Sequence, residues 1–292
     1  MNRKGVYWAV GILALFALGF WMTGAGWQIR PVPNRSAPRE LTEYIVGQKP
    51  SELSSVYELA GGPERTGRGF PQREIIDLAS EFPGIVYNQG DVREKKVALT
   101  FDAGPDAGTT VQILDILKDH DVKATFFVIG KRAEADEPVL KRMKDEGHII
   151  GNHTCNHPNL MKLDKDTITK ELMETEDFVE KAVGYRMSLF RSPYGSLSRD
   201  NVKQVADLGY KIIAWNVDSL DWKGLSGEQV RTNILENVRN GSIILQHSAG
   251  GPGEDLSGTV EALPTIITTL QKEGYEFVTV PELLDIPYKK EK

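Results

Sequence analysis

The sequence predicts an α/β fold built on a parallel sheet, and two observations support this class. Short apolar runs such as "KVALTFD" at 96–102 and "ATFFVIG" at 124–130 have the composition of strands that are covered on both faces. Segments with helical spacing separate such runs along most of the chain after residue 96. A strand–helix repeat of this length fits either a closed or distorted β/α barrel or a doubly wound open sheet.

The elements follow from apolar spacing in chain order. A helix over 111–118 follows the first strand, and a helix over 138–146 follows the second. The pattern continues with strands at 148–151, 188–190, 211–217, 242–245 and 276–280, and with helices at 165–183, 199–208, 228–238 and 262–273. No G-x-G-x-x-G or phosphate-binding loop follows the first strand, which removes the commonest reason for an open nucleotide-binding sheet.

The first residues predict a membrane segment. Arg3 and Lys4 precede an uncharged run over 5–28, which is long enough to cross about 30 Å of hydrocarbon. The flanking positive charge favours a cytoplasmic N-terminus, so the rest of the chain would lie outside the cell membrane. The alternative is a cleaved signal peptide and a secreted protein, but the run exceeds the usual apolar core of about 7 to 15 residues. We therefore predict an anchor, a hydrophobic helix at 1–29.

Composition divides the remaining chain and excludes some functions. Residues 30–72 are rich in Pro, Ser, Glu, Gly and Arg and are predicted to form a stalk or linker, followed by a catalytic domain at 73–292. The formal charge of −6 provides no basic surface for nucleic acid. The single cysteine, Cys155, excludes an intrachain disulfide. We expect a monomer.

Polar residues recur where the predicted strands end. In β/α folds the active residues lie at the carboxyl ends of the strands, so these side chains are expected to converge on one rim. They are Asp102, His153, His157, Arg191, Tyr194, Asp218, Asp221 and His247.

The stretch "GNHTCNHP" holds the most specific of these patterns. Histidines at i and i+4, His153 and His157, would share one face of a helical turn and could chelate a metal ion. Cys155 would point roughly opposite and is a poor third ligand. The alternative is a helix N-terminus with hydrogen-bonded histidines.

Three further stretches offer candidates for ion pairing, oxyanion binding and proton transfer. In "RSPYGSL", Arg191 could hold a carboxylate and the backbone N–H of Tyr194 could face an oxyanion, although a proline-shaped loop is the plainer alternative. Asp221 precedes Trp222, and His247 ends the strand segment "LQH". An aspartate beside a histidine keeps the imidazole protonated, which suits a general acid.

Five short motifs occur in order: T-F-D-A-G-P at 100–105, H-T-C-N-H at 153–157, R-S-P-Y at 191–194, D-W at 221–222 and L-Q-H at 245–247. Together, over about 95–284, they resemble the polysaccharide deacetylase family of carbohydrate esterases. The resemblance implies a distorted (β/α)7 barrel that removes acetyl groups from N-acetylglucosamine-type sugars. It also implies a divalent metal, usually zinc, with cobalt or nickel as alternatives.

The resemblance implies a role for each matched residue. Asp102 would be the general base, oriented by Arg191, and His247 would be the general acid, tuned by Asp221. Metal ligation would fall to His153 and His157. The residues that would contact substrate are Tyr194, through its N–H, and Trp222 and Leu245, which would line the acetyl pocket.

Ala103 departs from the family pattern, which places a metal-binding aspartate there. Water, Asp106 or Asp102 could complete the ligand set, or the ion could bind too weakly to work. If Asp102 became a ligand, the general base would be lost.

Alternatives to a metal-dependent deacetylase remain at this stage. Ala103 favours a catalytically impaired protein that binds cell-wall glycan. A glycosidase could use Asp218 and Asp221 as paired carboxylates, but the histidines would then be unexplained. The glycine-rich segment 248–258 is expected to be a flexible rim loop. An extracytoplasmic location makes peptidoglycan the expected substrate.

Overall fold

A curled sheet of parallel strands forms the fold in the computed structural model, which describes residues 77–291. The strands of this part of the chain are β1 (Val86–Tyr87), β2 (Lys96–Asp102), β3 (Thr125–Val128), β4 (Ile149–Asn152), β5 (Leu189–Phe190), β6 (Lys211–Ile213), β7 (Val217–Asp218), β8 (Ser242–His247) and β9 (Glu276–Phe277).

Helices connect the strands. They are α1 (Leu78–Glu81), α2 (Thr109–Asp119), α3 (Gly130–Ala135), α4 (Glu137–Asp145), α5 (Lys165–Val183), α6 (Arg199–Asp207), α7 (Gly227–Leu235), α8 (Ser257–Lys272) and α9 (Val280–Leu284). Short 3₁₀ turns occupy Leu160–Lys162, Pro193–Gly195 and Asp221–Lys223. None of the helices within residues 77–291 has the length and apolarity needed to span a membrane.

The strand order is β1-β6-β5-β4-β3-β2-β8-β7, with β9 paired to β2. Residues 214–216 alone join β6, near one end of this order, to β7 at the other end. Because one residue spans at most about 3.3–3.6 Å, the two ends of the sheet must lie close together. The linking segment bonds to both sides, since Ala214 N–H donates to Tyr87 O and Asn216 N–H donates to Ile243 O. The predicted distorted barrel is therefore confirmed.

The two faces of the sheet pack against different apolar clusters. Along β2, Val97, Leu99 and Phe101 face the helices, whereas Ala98 faces the inside of the curl. The inner cluster also contains Phe127, Leu189, Trp215 and Leu245. Because both faces are covered, the strand sequences are almost continuously apolar.

The sequence-based elements agree with the structure except in a few places. The strand predicted at 211–217 is wrong as one element, because its halves pair with different strands as β6 and β7. The strand predicted at 276–280 ends at Phe277, and α9 begins at Val280. The elements α1, β1, α3 and α9 and the 3₁₀ turns were not predicted, and the helix predicted at 262–273 begins at Ser257. The anchor at 1–29 and the stalk at 30–72 lie outside the described residues, and the domain boundaries stay predictions.

Candidate active site

The predicted site residues lie at the carboxyl ends of neighbouring strands. Asp102 ends β2 and His247 ends β8, and the two residues are register partners in a parallel pair. His153 directly follows β4, Arg191 directly follows β5, and Asp221 begins the 3₁₀ turn after β7. The fold therefore brings the five sequence motifs to one end of the barrel.

Asp102 and Arg191 form a buried ion pair. Nη1 of Arg191 lies 2.8 Å from Oδ1 of Asp102, and only 1% of the arginine is exposed. The same nitrogen donates to Oγ1 of Thr100 at 2.7 Å, and this hydroxyl in turn donates to the carbonyl of Ile244. The guanidinium therefore holds one oxygen of the carboxylate, and the role of Arg191 in orienting a general base stays a prediction.

Two aromatic rings lie close to the guanidinium. Its central carbon lies 4.2 Å from the centroid of the Phe127 ring and 5.5 Å from that of Trp215. Nε and Nη2 donate to the backbone carbonyls of Ile213 and Ala214. Phe127 and Trp215 were not predicted as site residues, because in the sequence they look like ordinary core positions. The hydrogen bonds and stacking together leave Arg191 little freedom to turn away from Asp102.

The environment of Asp102 favours proton uptake. Burial raises the pKa of Asp102 above its usual value, while the charges of Arg191 and His247 oppose the rise. A carboxyl group whose pKa is raised toward neutrality is a better proton acceptor than one in water.

His247 and Asp221 form a second buried pair. Nδ1 of His247 lies 2.7 Å from Oδ1 of Asp221, and the backbone N–H of His247 donates to Oδ2 at 2.8 Å. Thr259, not predicted, also donates its hydroxyl to Oδ2 at 2.6 Å. Burial alone would raise the pKa of Asp221, but the charge of His247 and these hydrogen bonds outweigh it and lower the pKa. Asp221 therefore stays ionised and favours a protonated His247.

Asp218, the other aspartate near this turn, has a structural role. Oδ1 of Asp218 accepts the N–H of Leu220 at 2.8 Å and so shapes the turn that leads to Asp221. Because Asp221 is engaged by His247 and Thr259, the two aspartates do not have the environment of a glycosidase acid–base pair.

His153 and His157 lie together, but not on a helical turn. The segment 153–158 is non-helical, and the expectation of a helix is wrong because Thr154 and His157 adopt left-handed backbone with φ of 68° and 59°. The two ring centroids are nevertheless 4.9 Å apart, and the Tyr194 ring lies 4.6 Å from that of His157.

The hydrogen bond on Nδ1 fixes the tautomer of His153. This nitrogen lies 2.7 Å from the backbone carbonyl of Arg191, and because a carbonyl only accepts, Nδ1 carries the proton. In the neutral imidazole Nε2 then carries the lone pair, and this nitrogen lies 3.7 Å from Oδ2 of Asp102. This is the arrangement of a histidine prepared to bind a metal through Nε2.

Strained backbone is concentrated at this end of the barrel. Residues other than glycine with positive φ at the site are Ala103, Thr154, His157, Tyr194 and Leu220. Such conformations cost free energy and persist at functional sites, where the surrounding structure holds them in place.

Asp106, in the turn after Asp102, does not replace the carboxylate that the family pattern places at position 103. Oδ1 of Asp106 accepts the N–H groups of Gly108 and Thr110 at the start of α2, so Asp106 is not placed to complete a ligand set. Burial raises the pKa of the Cys155 thiol to about 11, which disfavours the thiolate form that metals bind. Among residues 77–291, no three His, Cys, Asp or Glu side chains form a group that could hold a metal ion.

The side chains present fit a divalent ion in an incomplete site. The imidazole rings of His153 and His157 lie together. Nδ1 of His153 is engaged by a carbonyl, and its Nε2 faces Oδ2 of Asp102. Imidazole suits zinc and related metals. His153 and His157 are thus the side chains that would hold such an ion, and this assignment stays a prediction.

The residues predicted to contact substrate are placed as follows. Leu245 is fully buried within the inner apolar cluster, Trp222 is half-buried in the turn beside Asp221, and Tyr194 lies against His157. Their roles in binding the acetyl group stay predictions.

The start of the glycine-rich segment is tied to the end of β2. The N–H of Ser248 donates to Asp102 O, and the hydroxyl of Thr110 donates to Ser248 O. Arg132 bridges the two segments, because its Nη1 donates a hydrogen bond to Ala103 O and its Nη2 donates one to Gly250 O. The predicted rim loop is therefore anchored to the site at its first residues.

Comparison with known proteins assigns the family. The model of the polysaccharide deacetylase family matches residues 89–213. The chain is 44% identical over 241 residues to a peptidoglycan-N-acetylglucosamine deacetylase of Bacillus cereus, covering 82% of this chain and 85% of that protein.

Two solved structures are also similar. A crystal structure of a peptidoglycan N-acetylglucosamine deacetylase matches with 39% identity and a TM-score of 0.70, covering 73% of this chain and 98% of that one. A pseudoenzyme of carbohydrate esterase family 4 from Bacillus anthracis matches with 29% identity and a TM-score of 0.65, covering 80% of this chain and 81% of that one. By its motifs, its barrel and these similarities, the chain belongs to the polysaccharide deacetylase family.

Proposed function

We propose that this protein removes acetyl groups from N-acetylglucosamine units of peptidoglycan in a metal-dependent hydrolysis. The observation that carries the proposal is the placement of two buried pairs, Asp102–Arg191 and His247–Asp221, at the ends of adjacent strands. One pair suits proton acceptance and the other suits proton donation, which is what amide hydrolysis requires. The names of the relatives support peptidoglycan as the substrate.

Asp102 begins the reaction as general base. Arg191 holds Oδ1, so Oδ2 is the oxygen that takes a proton from the attacking water. The water oxygen then forms a bond to the acetyl carbonyl carbon and gives a tetrahedral intermediate. The backbone N–H of Tyr194 is the candidate to stabilise its oxyanion.

His247 completes the reaction as general acid. Asp221 holds Nδ1, so Nε2 of the imidazolium is left to protonate the amide nitrogen of the substrate. The carbon–nitrogen bond breaks, acetate leaves, and the sugar keeps a free amine. The proton held by Asp102 leaves the site with the product, and His247 regains its own proton from solvent.

His153 and His157 would hold the metal, for which zinc is our first choice and cobalt or nickel the alternatives. A bound divalent ion supplies Lewis acidity that polarises the acetyl carbonyl and acidifies water. The hydrogen bond from His153 Nδ1 to Arg191 O supports this assignment, because in the neutral imidazole it leaves Nε2 as the nitrogen available to a metal.

A glycan-binding protein without turnover is the competing function. Ala103 favours it, because the proposed donor set of His153 and His157 lacks a carboxylate, and one similar structure is that of a pseudoenzyme. We favour the enzyme because the base, the acid and both residues that orient them are present and connected.

Mass spectrometry of sugar oligomers tests the two functions directly. The protein is incubated with N-acetylglucosamine oligomers and with peptidoglycan fragments, with and without added zinc. Loss of acetyl groups that requires zinc, and that is absent in His247→Ala, supports the enzyme. Tight glycan binding without any acetate release at saturating zinc would favour the binding protein.

We also propose that the protein acts outside the cell membrane, held there by residues 1–29. The support is the uncharged run after Arg3 and Lys4. Cell fractionation with N-terminal sequencing tests it. A full-length product in the membrane fraction is expected, whereas a soluble product in the medium beginning near Ala25 or Gly26 would mean a cleaved signal peptide.

A further inference from the structure

The turn that carries the two histidines owes its shape to side chains. Four consecutive backbone N–H groups, at 154–157, donate to side-chain oxygens instead of to backbone carbonyls. The acceptors are Asn152 Oδ1 for Thr154 (2.9 Å), Glu171 Oε2 for Cys155 (3.0 Å) and for Asn156 (2.8 Å), and Thr154 Oγ1 for His157 (3.0 Å). These four N–H groups therefore make no helix or sheet hydrogen bonds, while the carbonyls of Thr154 and Cys155 accept the N–H groups of Gly130 and Lys131 at the start of α3.

Glu171 makes the largest contribution to this set. One carboxylate oxygen accepts the two successive N–H groups, and the other accepts Nδ2 of Asn156 at 2.8 Å. These are charge-assisted hydrogen bonds, which are stronger than neutral ones. Glu171 extends from α5, a helix of 19 residues with Asp164 as its N-cap and Gly184 at its C-terminal end, so the carboxylate has a rigid mount.

The two histidines differ in what holds them. His153 directly follows β4, its backbone N–H donates to Val128 O, and its Nδ1 hydrogen-bonds to Arg191 O. These contacts fix its position. His157 lies beyond the turn in left-handed backbone, a conformation that L-residues leave unless the surroundings hold them. The position of the His157 ring relative to His153 therefore depends on the turn between them.

We propose that Glu171 is a positioning residue that fixes the separation of the His153 and His157 rings and thereby sets the metal affinity of the site. The inference rests on the proposed metal-binding function of these two histidines. Glu171 acts through the N–H groups of Cys155 and Asn156 and need not touch the ion or the substrate.

Zinc affinity of the full-length chain tests the proposal, measured by competition with a chromophoric chelator. Three variants are compared with wild type: Glu171→Ala, Glu171→Gln, and Asp177→Ala as a control that removes an exposed carboxylate from the same helix. We expect Glu171→Ala to weaken zinc binding about 10–100-fold, the usual effect of losing a group that orients metal ligands. Glu171→Gln keeps an acceptor oxygen and should restore most of the affinity, and Asp177→Ala should bind as wild type.

Amide hydrogen exchange of the metal-free proteins gives a second readout. Protection at Cys155 and Asn156 should be lost in Glu171→Ala and kept in the other two variants, with the thermal midpoint near that of wild type in all three. Equal zinc affinity in wild type and Glu171→Ala overturns the proposal and leaves the metal site standing. If none of the proteins binds zinc, the metal assignment and with it this proposal are overturned. Loss of amide protection only in Glu171→Ala would in that case still show that Glu171 maintains the turn.

Discussion

Nε2 of His153 lies 3.7 Å from Oδ2 of Asp102, so a proposed metal ligand directly faces the proposed general base. The other oxygen of Asp102 is held by Arg191. This geometry raises the central question about the site, because a carboxylate drawn into the ligand set could no longer accept a proton. The two roles of Asp102 can be separated by experiment.

Asp102→Asn should abolish most turnover and leave zinc affinity nearly unchanged. The amide oxygen can still accept from Arg191, but the amide group does not take up a proton, and general base catalysis contributes about 10²–10⁴-fold. Turnover is measured by acetate release and zinc affinity by chelator competition. A parallel loss of zinc affinity and turnover would show that Asp102 is a ligand.

His247→Ala should lower the maximal rate by a similar factor of about 10²–10⁴, with unchanged metal content, because only the proton donor is lost. Asp221→Asn should have a smaller effect with a distinct signature. The attraction that lowers the pKa of Asp221 also favours the charged imidazole, so its removal should shift the high-pH limb of the rate profile to lower pH. Full activity of His247→Ala would rule out the acid role.

Arg191→Gln should destabilise the protein far more than the loss of an exposed arginine. Breaking a buried ion pair by removing one partner costs about 3–5 kcal/mol, because Asp102 would be left as an uncompensated buried charge. Arg199→Gln is the matched control, since its pair with Glu81 is exposed to solvent, where ion pairs contribute little to stability. Urea unfolding of both variants measures the difference, and equal losses would contradict the importance of burial.

The stability of the protein should decrease below neutral pH because of His148. Burial lowers the pKa of His148 to about 4, so the folded protein keeps this imidazole neutral, with Nδ1 accepting the N–H of Ala124. The unfolded chain takes up a proton below about pH 6.5, whereas the folded chain does so only near pH 4. Stability contributed by the neutral form is therefore lost as the pH falls through this window, by about 3 kcal/mol in all.

The variant His148→Asn tests whether His148 causes this loss of stability, because asparagine differs from histidine in its titration. It retains an acceptor for the Ala124 N–H but does not titrate, so His148→Asn should show a shallower decrease in unfolding free energy between pH 6.5 and 4. Chemical denaturation at several pH values measures the slope. An unchanged slope in His148→Asn would assign the acid sensitivity to other groups.

Local sequence signals predicted the parts of the fold that depend on neighbours in the chain. The helix at 165–183 was predicted with its observed bounds, since Asp164 caps its start and Gly184 ends it in left-handed backbone. The convergence of Asp102 and His247 also followed from the sequence, because parallel strands bring their carboxyl ends to one edge.

Features that depend on distant partners could not be predicted in this way. Residues 211–217 contain one apolar run, but its division between β6 and β7 is decided by pairing at different edges of the sheet. Thr259 reaches Asp221 across 38 residues, and no local pattern distinguishes it from other threonines. The spacing of His153 and His157 indicated their proximity, but the turn between them depends on Glu171 from α5, which propensity cannot show.

Ala103→Asp should strengthen zinc binding and raise activity at low zinc. Ala103 adopts φ of 67°, a left-handed conformation that aspartate and asparagine tolerate better than most residues, so the backbone already suits the replacement. Nη1 of Arg132 donates to Ala103 O, and this nearby cation favours an ionised carboxylate at the position. Residues that only orient metal ligands typically change metal affinity about 10–100-fold. An added anionic ligand should tighten zinc binding by a larger factor.

Ala103→Asn separates the charge from the conformational effect. Both variants should gain similar stability from relief of strain at φ of 67°, but only the carboxylate should greatly increase zinc affinity. Because the base and the acid are in place, wild type should show slow deacetylation that depends on added zinc, and the advantage of Ala103→Asp should shrink as zinc saturates wild type. Acetate release is measured across a zinc titration for the three proteins. If Ala103→Asp binds zinc tightly and none of them releases acetate from N-acetylglucosamine oligomers or peptidoglycan, the enzyme proposal fails and the glycan-binding function takes its place.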